Sequence, residues 1–206
     1  MSTTTKKFIE SHWLTFAMKG AISIIAGMCM MFATGGDTEV LIQIVGWTML
    51  CLGFIELANM IHRSRKQANW GFPLFLGLLE IAIAVSLLVT AIPGVGAADL
   101  IWLRIIILSG YVLFASVVTI ILGFTSFVNM TDSFMWVING TLGAVLAFVL
   151  FAGSGLSATT HIELFGTYLL INGITDLFFG VHSHDEALEL KAARAAKRLA
   201  AKKGKK

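Results

Sequence analysis

The stretch Gly46-Trp47-Thr48-Met49-Leu50-Cys51-Leu52-Gly53-Phe54-Ile55-Glu56-Leu57 is apolar except for its carboxylate, and its two glycines stand seven residues apart. A helix presents positions seven apart on one face, so Gly46 and Gly53 form a small-residue seam of the kind that lets membrane helices approach closely. Glu56 lies within about 80° of both glycines at ~100° per residue, which turns the carboxylate toward a packed interface. A second stretch repeats the pattern. GTYLLINGITDL (166–177) places Gly166 on Gly46, Gly173 on Gly53 and Asp176 on Glu56. A third, GYVLFASVVTII (110–121), keeps only the first glycine.

The rest of the chain fits this reading. Of its 206 residues, 57% are hydrophobic and 13% charged, with mean hydropathy +0.85. A soluble domain is nearer a quarter charged, so the composition predicts a polytopic membrane protein. Apolar runs cover 12–33, 40–61, 71–92, 100–123, 134–153 and 161–181. Each is close to the ~20 residues that cross the hydrocarbon layer, and helices are the expected form because open strand edges cannot face lipid. Turn residues separate the runs: Gly35-Gly36-Asp37, Pro93-Gly94, Asn129 to Asp132 and Gly153-Ser154-Gly155. The first run follows Lys6 and Lys7 but is too long for a signal-peptide core and lacks an A-x-A site, so an uncleaved span is expected.

Lys6, Lys7, Arg63, Arg65 and Lys66 flank one side of the runs, and eight further basic residues follow the sixth; the loops at 34–39, 93–99 and 154–160 hold none. The positive-inside rule then puts both termini in the cytosol. Trp13, Trp70 and Trp136 fall where interfacial anchors would sit. The odd runs also begin alike, WLTFAMKG (13–20) and WGFPLFLG (70–77), with WVING (136–140) as a shortened copy. The expected architecture is all-α: residues 1–11 as a cytoplasmic N-terminus, a membrane domain over 12–181 built from three parallel two-helix hairpins (12–61, 70–123, 134–181), and a basic helical tail over 182–206.

These glycine and tryptophan spacings resemble those of the HdeD-type acid-resistance membrane proteins over about residues 12–181. The resemblance implies a bacterial inner-membrane protein linked to survival at low pH, without a settled molecular activity; together with the missing catalytic motifs, the expectation is a non-enzymatic protein that supports acid tolerance or envelope homeostasis. The resemblance carries no catalytic residues or cofactor to transfer.

The residues themselves single out a row of polar groups. Lys19, Glu56, Asn139 and Asp176 all fall ~10 Å below the cytoplasmic interface at ~1.5 Å per residue. Lys19 and Glu56 belong to the first hairpin, Asn139 and Asp176 to the third, and Leu76 and Ile120 hold the matching positions of the second. Polar opposite polar twice and apolar opposite apolar once predicts a Lys19–Glu56 ion pair and an Asn139–Asp176 hydrogen bond. Such a row is either structural glue, with Lys19 snorkelling to the cytosol, or a proton-titratable or ion-binding site of a small-ion or proton transporter. Glu80 and Arg104 form a second expected pair, separated by ~7 Å of depth; the alternative has Arg104 reaching outward and Glu80 as a neutral acid.

Other features carry less. Met28, Cys29, Met30 and Met31, with Met49 and Cys51, are soft ligands, but consecutive helical residues diverge, so no metal site is expected. Ser183 and Glu186 suggest a capping box opening a separate tail helix. That tail has net charge +5 against −2 for the remainder, and Lys191, Arg194, Lys197, Arg198, Lys202 and Lys203 are expected to meet anionic lipid. It lacks the aromatics that stack bases, so no nucleic-acid partner is expected; homo-oligomerisation stays open. No H-x-x-H or G-x-S-x-G motif points to an enzyme.

Overall fold

A computed structural model describes residues 3–32, 37–64, 71–89, 95–125, 130–153 and 155–203. Six helices follow in chain order: α1 (Thr3–Phe32), α2 (Thr38–Ser64), α3 (Gly71–Leu88), α4 (Ala97–Thr125), α5 (Met130–Ala152) and α6 (Ala158–Lys203). There is no strand among the described residues. Five of the helices contain stretches long and apolar enough to cross a membrane; in α3 the apolar part, Pro73–Leu88, is shorter. The described apolar part has 16 residues and rises about 24 Å, and the end of the expected run, 90–92, lies outside the described residues. Large apolar side chains cover the outside, Phe32, Phe124 and Phe148 each being more than 70% exposed. Water would not tolerate such a surface and lipid does, so this is an integral membrane protein.

Local chemistry fixes several helix ends. Asp37 Oδ1 accepts from the Glu39 N–H at 3.1 Å and starts α2, and Ser157 Oγ accepts from the Thr160 N–H at 3.1 Å and starts α6. Both are N-caps, in turns the sequence marks. The expected cap at Ser183 is absent. α6 runs unbroken through it for 46 residues, because no glycine or proline follows Gly180 before its end and the segment is rich in alanine, leucine, lysine and arginine, all strong helix formers. The expected N-terminal segment is likewise helical from Thr3.

The closest neighbours are not the hairpin partners. α1 packs most extensively on α6, α2 on α3 and α4 on α5, so the last helix returns to the first and the bundle closes into a ring. Small residues carry each seam. A Cβ on Gly20 would lie 2.7 Å from the Gly173 carbonyl and 2.6 Å from the Leu177 nitrogen; one on Gly77 would lie 3.0 Å from the Gly53 carbonyl. A Cβ on Gly140 would lie 2.8 Å from the Ser116 carbonyl and 2.6 Å from Ile120. The three seams thus use matching positions: Gly53 with Leu57, Ser116 with Ile120, and Gly173 with Leu177.

That match corrects the alignment of the middle copy by one residue. Gly110 meets nothing within 4 Å, while Ser109 and Ser116 are buried where the other copies have Gly46 and Gly53, or Gly166 and Gly173. Serine is the next smallest polar choice. Each hydroxyl folds back onto its own helix, Ser109 Oγ to the Ile105 carbonyl at 2.8 Å and Ser116 Oγ to the Val112 carbonyl at 2.6 Å, so neither presents an unmet donor to the seam. Thr119, not Ile120, then stands in the place of Glu56 and Asp176.

The core draws on every helix, most heavily on the even-numbered ones: Leu41, Ile42, Val45 and Met49 from α2, Leu108 and Val112 from α4, and Ile162, Phe165 and Leu169 from α6, joined by Met30 of α1, Leu87 of α3 and Leu150 of α5. Met30 and Met49 are wholly buried there, whereas Cys29 and Cys51 face outward. Trp136 is half-buried between neighbouring helices, its ring 6.3 Å from Phe16 and 5.5 Å from Phe179. Trp70, Arg65 and Lys66 lie outside the described residues, as do Gly35-Gly36, Pro93-Gly94, Asn129 and Ser154.

Candidate functional site

Lys19 of α1 reaches between α2 and α3. Its Nζ donates to Glu56 Oε1 at 2.6 Å and lies 3.8 Å from Glu80 Oε1. Glu56 Oε2 also accepts from Asn59 Nδ2 at 3.4 Å, one turn along α2. The Tyr111 hydroxyl of α4 donates to Glu80 Oε1 at 3.1 Å. Asp176 of α6 is half-buried, and it interacts electrostatically with Lys19, Glu56 and Glu80. Two carboxylates therefore stand within 4 Å of one ammonium and a third, Asp176, acts on it from farther away, the four groups coming from four helices with tyrosine closing the group from a fifth. The side chains are largely withdrawn from the surface: Lys19 is 16% exposed, Glu56 10% and Glu80 3%.

The seams explain why these groups meet. Gly53 and Gly77 bring α2 and α3 to backbone contact, which leaves Glu56 and Glu80, each three residues farther along its helix, facing one cation. Gly20 and Gly173 do the same for α1 and α6, and Asp176 follows Gly173 by three. The Lys19–Glu56 contact is the one that the paired repeat positions predict.

Two expected pairings are absent. Asn139 Nδ2 donates to Asn172 Oδ1 at 2.8 Å, one turn from Asp176, and Asp176 has no direct hydrogen bond among the described residues. The reason is that α6 packs chiefly on α1, so Asp176 turns toward Lys19 instead of α5. Asn172 was overlooked, though its place immediately before the seam glycine Gly173 marks it in the sequence. Glu80 and Arg104 do not pair either. Arg104 is 1% exposed, and its Nη1 donates to Glu39 Oε2 at 2.7 Å while Nη2 donates to the Val89 carbonyl. It thereby ties the start of α2 to the end of α3, at a level where Glu39 is nearer than Glu80. Its Nε, like Glu80 Oε2, is buried with no hydrogen-bond partner among the described residues. Arg104→Lys keeps the charge but cannot span both acceptors, and should lower thermal stability by about 1–3 kcal/mol, the cost of an orphaned buried carbonyl. A melting curve of the purified protein in detergent checks this.

Lys191, Arg194, Lys197, Arg198, Lys202 and Lys203 all lie on the last turns of α6; their side chains are outside the described part. No group of three or more His, Cys, Asp or Glu side chains placed to hold a metal occurs among the described residues.

The sequence matches the model of one family, short repeat of unknown function (DUF308), twice, over residues 18–89 and 138–191. Together the matches cover more than half of the chain. Gly20 and Gly140, and equally Glu56 and Asp176, are separated by the same interval as the starts of the two matches. No curated protein and no solved structure matches the chain.

Proposed function

This chain belongs to the DUF308 short-repeat family, and on that premise we propose that it is a non-enzymatic protein of the bacterial inner membrane, of the HdeD type, that supports acid tolerance or envelope homeostasis. The observation that carries the reading is the excess of carboxylates over cations in the Lys19, Glu56, Glu80 and Asp176 group. A charge in the membrane interior costs at least ~2.5–3.5 kcal/mol, so a carboxylate without a cation of its own is retained there for a purpose. Acid is what such a group senses, because protons remove the imbalance. Both termini lie in the cytosol in this reading, and the basic end of α6 contacts anionic lipid headgroups at ~1 kcal/mol per residue near the surface.

The test is survival after acid challenge in a strain lacking the gene. The wild-type gene should restore survival, while Glu56→Gln with Asp176→Asn should leave it near the uncomplemented level with normal amounts of protein in the membrane. Full restoration by the double variant would remove acid sensing from the reading.

The alternative is a proton or small-ion transporter using Lys19, Glu56, Asn139 and Asp176. The partial exposure of Asp176 favours it. The direct 2.6 Å Lys19–Glu56 contact, which leaves no room for an ion between them, favours the first. Liposomes holding the protein should show no proton flux above empty ones; flux abolished by Lys19→Met would establish the alternative.

A further inference from the structure

Glu80 is 2% exposed, on α3, and its two oxygens have different surroundings. Oε1 accepts from the Tyr111 hydroxyl and faces Lys19, whereas Oε2 is buried and meets no donor among the described residues. The ammonium that could satisfy Glu80 is engaged elsewhere: Lys19 stands 2.6 Å from Glu56 and 3.8 Å from Glu80. An ionised carboxylate with an empty oxygen is a poor tenant of so dry a place, since a buried charge keeps its place only when paired and hydrogen-bonded.

We propose that Glu80 is a proton-binding group of the membrane interior, that Oε2 is the atom that takes the proton, and that Lys19 is the counter-ion it shares with Glu56. This rests on the acid-response reading above and names the group that responds.

The ligand is a proton rather than a metal cation on coordination grounds. A hard cation requires about six oxygen ligands, and among the described residues no three His, Cys, Asp or Glu side chains are placed to hold one, Glu56, Glu80 and Asp176 being spread around Lys19. A proton requires a single acceptor, which Oε2 supplies. Every element around Glu80 offers a group that feels the change. These are Lys19 on α1, Glu56 on α2, Tyr111 on α4, and Tyr168 and Asp176 on α6. At this level α5 contributes Asn139, which is not titratable and is satisfied by Asn172.

The step balances simply. One proton joins Oε2, the carboxylate becomes a neutral acid, and no other covalent bond changes. The attraction between Glu80 and Lys19 is lost, so Lys19 is left to Glu56, its direct partner, and to Asp176. α3 is then held by the Tyr111 hydrogen bond and the Gly53–Gly77 seam without its ionic tie to α1. Release of the proton restores that tie.

Infrared difference spectroscopy on the full chain in lipid, stepped between neutral and acid pH, tests this. The wild type should show a carboxylic-acid carbonyl band from a dry site, with one proton taken up per chain in a parallel unbuffered titration. Glu80→Gln should lose that band and that proton. Tyr111→Phe keeps the carboxylate but removes its hydrogen bond, and should shift the band without abolishing it, which decides the matter even if Glu80→Gln fails to fold. An undiminished band in Glu80→Gln, an unshifted one in Tyr111→Phe, or a response to sodium at fixed pH would each overturn the assignment. Acid survival separates the two readings. Normal survival of Glu80→Gln with its band lost would sink the acid-tolerance reading and leave the site standing. Impaired survival with the band intact would do the reverse.

Discussion

Lys19→Leu should destabilise the protein by about 3–5 kcal/mol, the cost of removing one partner from a buried ion pair. The loss comes less from the missing attraction than from what stays behind. Glu56 would lose its ammonium while keeping the 3.4 Å contact with Asn59, and Glu80 would keep Tyr111, with Asp176 acting on both and Lys19 gone from among them. Adding Glu56→Leu should return part of the loss, since an apolar pair of similar volume is often as stable as the ions it replaces. It should not return all of it, because Glu80 would still lack its cation. Melting curves of the single and double variants in detergent read the coupling directly. A melting temperature for Lys19→Leu equal to wild type would mean that water already reaches the carboxylates.

The second large effect is expected at Gly20. An alanine there would put its methyl 2.6 Å from the Leu177 nitrogen and 2.7 Å from the Gly173 carbonyl. Both are backbone atoms of a helix, so neither can step aside as a flexible side chain would. α1 and α6 must separate, at a cost near the upper end of the 1–3 kcal/mol typical of overpacking. The change should also disturb the site, since Lys19 and Asp176 hang from this seam. Gly110→Ala is the control. With nothing within 4 Å, it should be neutral or stabilising by up to about 1 kcal/mol, the helix-propensity gain. Equal behaviour of the two variants would mean that small residues do not set the helix spacing.

Much of this was legible beforehand. Apolar runs and turns follow from hydropathy and from residues such as Asp37 and Gly153, whereas the caps do not: the expected one at Ser183 is absent, and those at Asp37 and Ser157 emerge only from the structure. Depth counting put Glu56 beside Lys19 because hairpin partners at one level have few alternatives. Depth says nothing about direction around the bundle, however, and that is where the expectations failed. Depth along the axis offers Arg104 as a partner for Glu80, or else leaves Glu80 neutral with Arg104 reaching outward, whereas rotation about the axis gives it to Lys19 and Tyr111. Asp176 was assigned to α5, whereas closure of the ring turns it to α1. The slip in the middle copy has a different origin. Serine substitutes for glycine in a seam only by folding its hydroxyl onto the preceding turn, and a pattern of glycines alone does not register it.

α6 combines two roles that the sequence divides. It carries Asp176 beside the buried charges, and it continues without a break to Lys203, about 40 Å farther along at ~1.5 Å per residue. A helix of that length pivoting on Gly173 is a lever. A tilt of about 10° near Asp176, too small to break the Gly20 contact outright, would sweep the basic tip through roughly 7 Å. A charge change inside the bundle would thus be displayed as movement at the far end, in the part of the chain best suited to touch something else.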